Sequence, residues 1–124
     1  IAKLNTSVIL HKNVKRLSDV MRKCDIAISS GGSTLYELCA CGVPTICFVM
    51  ADNQRGIVDY FVEKGVMISL GEISEIEKNL YGAIDYMIDK DKRTQVSNLA
   101  RGIIDGKGTE RIVKFISFQK NNQR

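Results

Sequence analysis

Ser30-Gly31-Gly32-Ser33-Thr34 lies between a short apolar run and a segment of helical spacing, and a carboxylate, Glu37, follows three residues after Thr34. Glycine has no Cβ, so the backbone at Gly31 and Gly32 can approach a phosphate closely. A helix opening at once after them would aim unpaired N–H groups and the positive end of its dipole at an anion. Ser30, Ser33 and Thr34 add hydroxyl donors. The same residues also suit a tight turn with Ser33 or Thr34 as an ordinary N-cap, and the pattern alone leaves both readings open. It is neither a Walker loop, since no lysine follows the glycines, nor a GxGxxG fingerprint. Glu37 is divided in the same way. Its carboxylate could accept both hydroxyls of a ribose, a bidentate and charge-assisted grip. Thr34-x-x-Glu37 also has the form of a capping box, with Glu37 accepting the Thr34 N–H.

Asp52-Asn53-Gln54 follows an apolar run and opens another helical pattern. These side chains could orient sugar hydroxyls, or Asp52 or Asn53 could serve as an N-cap. The single histidine, His11, is a candidate general base only in the sense that any loop histidine is one. Asp105-Gly106-Lys107-Gly108 reads as a turn between helices. Of the four cysteines, Cys39 and Cys41 form the one close pair and no CxxC is present. With one histidine, no zinc site is expected. Buried free thiols and a reducing, cytoplasmic setting are the expectation.

The elements that would position these residues alternate. Short apolar runs at 8–11, 26–28, 45–49 and 66–70 read as about four strands. Helical spacing covers 14–23, 34–41, 54–64, a segment opened by a Ser74-x-x-Glu77 capping box, 91–103, and a last helix from near Thr109 that would bury Ile112, Val113 and Ile116. Gly42 and Pro44 end the second helix. Near-continuous apolar strands alternating with helices imply an α/β fold, a parallel sheet with helices on both faces. Its crossovers should be right-handed. Ligands of such sheets bind outside the carboxyl ends of the strands, and the polar, Gly-rich loops fall there. The chain has 124 residues, 44% of them hydrophobic, enough for a core, and carries 18 basic against 14 acidic residues. The excess is mild and interspersed, which suits a small anion and not a nucleic acid. No apolar stretch reaches membrane-spanning length. Residues 1–118 are expected to form the domain and 119–124 a disordered tail.

Taken together and in order, Asp25, the 30–34 segment with Glu37, Gly42-Val43-Pro44 and Asp52-Asn53-Gln54 resemble the C-terminal domain of GT-B fold nucleotide-sugar enzymes. The nearest likeness is to the UDP-sugar hydrolase (PseG) and spore coat polysaccharide (SpsG) families, with the MurG-type N-acetylglucosaminyltransferases more distant. The resemblance runs from about Val8 to Ile116 and implies a Rossmann-like fold. It also implies specific roles. Val14 would offer backbone groups to the uracil edge, Ser30, Gly31, Gly32, Ser33 and Thr34 would hold the diphosphate, Glu37 would bind the ribose, and Asn53 and Gln54 would face the sugar. Asp25 and Pro44 would be structural.

Such enzymes have two α/β domains, and in the hydrolases the catalytic base lies in the N-terminal one. The resemblance therefore implies a C-terminal fragment whose catalytic residues are elsewhere. Its partners would be a UDP-sugar and the missing N-terminal domain, and its exposed surface would favour self-association. The implied activity is the nucleotide-sugar-binding part of a UDP-sugar hydrolase in surface-polysaccharide or nonulosonic acid biosynthesis, with no cofactor and no metal. A glycosyltransferase, or a nucleotide- or sugar-binding module without chemistry, are the alternatives.

Overall fold

A computed structural model describes residues 6–122. Helix α1 (Leu17–Met21) leads into β1 (Ala27–Ser30), α2 (Thr34–Cys41) and β2 (Thr45–Val49). A 3-10 turn (Asp52–Gln54) opens α3 (Arg55–Glu63), and β3 (Met67–Glu72) follows. A second 3-10 turn (Ile73–Glu75) precedes α4 (Ile76–Ile88), α5 (Lys90–Ile103) and α6 (Gly108–Asn122). The three strands pair in parallel in the order β1-β2-β3, with Ala27 opposite Thr45 and Thr45 opposite Met67.

Alternation along β2 sorts the core. Cys47 and Val49 pack on one face with Leu35, Leu38 and Cys39 of α2 and with Val58 and Phe61 of α3. Ile46 points to the other face, with Leu70, with Ala83 and Met87 of α4, and with Val96 of α5. Both faces are therefore covered, as two βαβ crossovers and a returning helix pair require. Helix α2 stops where the sequence says it should. Gly42 takes the left-handed conformation at φ 67°, and its N–H bonds back to the Cys39 carbonyl. Pro44 then carries the chain into β2, where its carbonyl accepts the Ala27 N–H at 2.9 Å.

Four expectations change. Residues 8–11 form no strand, so among the described residues the sheet has three strands and not about four. An apolar run becomes a strand only where a neighbour satisfies its backbone, and Ile9 and Leu10 lie exposed instead. The helix expected over 14–23 shrinks to the five residues of α1. The capping box sits two residues before the expected Ser74–Glu77 pair. Glu72 accepts from the Glu75 backbone, and the Glu75 carboxylate accepts the Glu72 N–H at 2.9 Å. Finally, α6 forms and continues to Asn122, but it buries no apolar face. Ile112, Val113 and Ile116 are more than half exposed, as are Phe115 and Phe118. Periodicity specifies an amphipathic helix, but not that a surface will be there to receive it.

Candidate functional site

The carboxyl ends of β1 and β2 bring the two polar loops together. The Gly31 N–H bonds the Phe48 carbonyl at 2.9 Å, which extends the sheet by one rung past Ser30. Gly31 is buried against the start of α3. A Cβ there would stand 2.5 Å from Val58 Cγ2 and 3.0 Å from Gln54 Cβ. Gly31 is thus required by close packing of the two loops. Gly32 is different, because a Cβ on it would meet nothing within 4 Å. It faces open space at the mouth of the loop.

At the start of α2 the Leu35 N–H bonds the Gly32 carbonyl and the Tyr36 N–H bonds the Ser33 carbonyl. The N–H groups of Ser33 and Thr34 find no acceptor among the described residues. The hydroxyls of Ser30, Ser33 and Thr34 make no hydrogen bond among those residues either, whereas the Ser29 hydroxyl is spent on the Ser30 carbonyl at 3.1 Å. Two N–H groups and three hydroxyls without partners among the described residues lie at the positive end of an eight-residue helix, an arrangement that can cradle an anion.

Glu37 lies one turn further on and is exposed. No side-chain cap closes α2, so the capping-box reading of Thr34 and Glu37 is not realised, and among the described residues the carboxylate has no partner. The adjoining aromatic packing is firm, with Tyr36 edge-on to Phe61 at 5.1 Å between centroids.

On the second loop, Gln54 Oε1 accepts the Met50 N–H at 3.0 Å, closing the turn, and the amide nitrogen of Gln54 has no partner among the described residues. Asn53 is exposed. Arg55 donates to Glu72 at 2.6 Å and to Asp52 at 3.5 Å, tying this loop to the end of β3. These carboxylates hold the guanidinium more firmly protonated than usual. The Arg55–Glu72 pair spans 17 residues and has no local signature in the sequence.

Val14 and His11 belong to the exposed stretch before α1. The cysteines do not build a site. Burial pushes Cys39 and Cys47 up to about 11, and their thiols donate to the carbonyls of Ala100 and Ile68. Such thiols are neutral and unreactive near neutral pH. Among the described residues no group of three or more His, Cys, Asp or Glu is placed to hold a metal ion, and no helix is long and apolar enough to cross a membrane.

A cavity of about 370 Å³ lies at the opposite, amino-terminal edge of the sheet, beside Arg22, Asp25, Pro44, Arg93 and Arg101. Two of its basic side chains have structural work. Arg93 donates to the last carbonyls of α4, at Met87 and Ile88, and Arg101 lies across Gly42 at the end of α2.

The family model described as "Protein of unknown function (DUF354)" matches residues 1–107. The chain belongs to the DUF354 family. The match takes in the whole sheet and α1 to α5 and ends before α6. This DUF354 chain is also 27% identical, over 111 residues, to the spore coat polysaccharide biosynthesis protein SpsG of Bacillus subtilis (strain 168). That alignment covers 86% of the chain and 33% of SpsG, so the chain spans about a third of the length of this curated relative. The relationship to SpsG expected from the motifs is thereby found, and the α/β fold with its parallel sheet agrees with it.

Proposed function

We propose that this chain is the nucleotide-binding part of an enzyme of polysaccharide biosynthesis that acts on a UDP-sugar, most simply a UDP-sugar hydrolase. The observation that carries the reading is the start of α2, where two N–H groups and three hydroxyls, unpartnered among the described residues, lie one turn from a carboxylate that caps nothing. A nucleoside diphosphate likewise carries an anion and a diol next to one another. The name and similarity of SpsG support the pathway. Ser30, Gly31, Gly32, Ser33 and Thr34 would hold the diphosphate, Glu37 the ribose hydroxyls, and Asn53 with the free amide of Gln54 the sugar. Val14 would approach the uracil through its backbone.

In this reading water attacks the anomeric carbon, the bond from that carbon to the bridging oxygen breaks, and UDP leaves with that oxygen. The cradle stabilises the negative charge arriving on the diphosphate. The group that takes the proton from water would belong to a further domain of a longer parent, so the 124-residue chain alone should be inactive. The test is turnover of a UDP-sugar in ¹⁸O-water by the full-length parent. The label should enter the sugar hydroxyl, with none in UDP. Label in the phosphate, or turnover by the isolated chain, would contradict it. A glycosyltransferase would use the same cradle and would give free sugar slowly unless an acceptor were added.

A further inference from the structure

Helix α5 has two unlike sides. Val96 and Ala100 turn into the core, whereas Lys90, Arg93, Thr94, Ser97, Asn98 and Arg101 recur at helical spacing along another side. That side walls the cavity of about 370 Å³ at the amino-terminal edge of the sheet. Arg22, just after α1, and Asp25, ahead of β1, complete its charged lining. Four cations therefore line the cavity with one carboxylate. Gly42 lines it too, and a Cβ there would stand 3.0 Å from the Ser97 hydroxyl and closer still to Arg101. The missing side chain lets α5 close over the end of α2.

Helix ends explain part of this charge. α2 and α4 finish at this edge, and basic side chains near such ends offset their last carbonyls. Arg93 does so through a single nitrogen, Nη1, at 2.9 and 2.6 Å. Its Nε and Nη2 have no partner among the described residues. Arg22 likewise commits only Nη2, to Ser18 and Asp19. Among the described residues the side chains of Lys90, Ser97, Asn98 and Arg101 make no hydrogen bond or ion pair, and Asp25 pairs with none of the four cations. Cations gathered around one small cavity repel one another, and a multiply charged anion between them replaces repulsion by attraction. Guanidinium forks fit phosphate oxygens, and Ser97 and Asn98 add neutral donors. A second cavity, of about 560 Å³, adjoins through Arg22, Cys41 and Arg101 and gives room beyond a bare phosphate.

We infer that this cavity is a second anion site, for the phosphate or diphosphate group of a small molecule. It lies at the edge of the sheet away from the cradle and shares no residue with it, so it stands independently of the nucleotide-sugar reading. NMR titration of the ¹⁵N-labelled chain with inorganic pyrophosphate reads the two places separately. The amides of Gly42, Ser97 and Asn98 report this site, and those of Ser33 and Thr34 report the cradle. The first set should shift to saturation, and equally so in Gly32→Val. Asn98→Asp and Lys90→Gln, each at an exposed position, should weaken that binding about threefold or more at low salt, the size expected of partly exposed charges, with the melting temperature unchanged. Glycerol phosphate binding more tightly than inorganic phosphate would mark a phosphate ester as the ligand and equal binding a bare anion, and either result supports the site. Shifts no larger than those in sodium chloride of equal ionic strength, shifts confined to Ser33 and Thr34, or binding unmoved in both folded variants overturn it.

Discussion

Gly31 and Gly32 are adjacent in sequence and have opposite reasons to be glycine. A methyl group at Gly31 would press on Val58 and Gln54 in a close-packed contact. Overpacking of this kind costs about 1–3 kcal/mol, so Gly31→Ala should lower the melting temperature measurably by circular dichroism. Gly32 has open space above it and no left-handed φ. Gly32→Val should therefore leave the melt nearly unchanged and weaken nucleotide binding by crowding the phosphate position. A Gly32→Val protein that melts early would show the residue to be structural. The roles of these two positions could not be told apart in the sequence, because only the approach of α3 to the loop separates them. The two readings of Glu37 were equally local and equally plausible. The structure leaves its carboxylate free. A lost charge-assisted bond is worth about 1.5–3 kcal/mol. Glu37→Ala should accordingly weaken UDP about tenfold or more at unchanged melting temperature.

Among the elements, those with strong signals at both ends were legible. Helix α2 and strand β2 fall where the apolar pattern, Gly42 and Pro44 put them, because each boundary is set by the residues that form it. The 8–11 run and the burial of α6 were not legible, since both depend on a partner surface and not on the segment itself. The turn between α5 and α6 was expected at 105–108, but its fastening was not. Asp105 accepts two bonds from Arg111, at 2.7 and 3.1 Å, and the Lys107 N–H at 2.9 Å. These bonds, the Arg111 pair foremost, lower the Asp105 carboxyl to about 2. A carboxyl lowered in the folded state contributes above its unfolded value, near 4, and that contribution is lost as pH falls toward 2. Protection of the first turn of α6 against hydrogen exchange, taken relative to the intrinsic rate at each pH, should therefore fall between about pH 4 and pH 2, and Asp105→Asn should abolish that loss. An unchanged profile in Asp105→Asn would show that the turn is held by other contacts.

At the scale of the whole molecule, the accessible surface is 9393 Å² for 13.8 kDa. A compact monomer of that mass exposes roughly 6,600 Å². The stretch before α1 and the apolar residues of α6 account for much exposed apolar surface, and Ile28 of β1 adds to it. Apolar surface of this extent favours association. Sedimentation at high concentration should show species above 13.8 kDa, and Phe115→Glu with Ile116→Glu should shift them toward monomer. A clean monomer throughout would count against it. None of this extent was visible from composition, which reports how much apolar residue there is and not where it packs.

The start of α2 is proposed to grip a uridine diphosphate. Its most direct test is a calorimetric titration of the chain with UDP, CMP and GDP, repeated on Glu37→Ala. UDP should bind in preference to the other two nucleotides and weaken about tenfold in the variant. Equal binding of the three nucleotides, or UDP binding indifferent to Glu37, would contradict it.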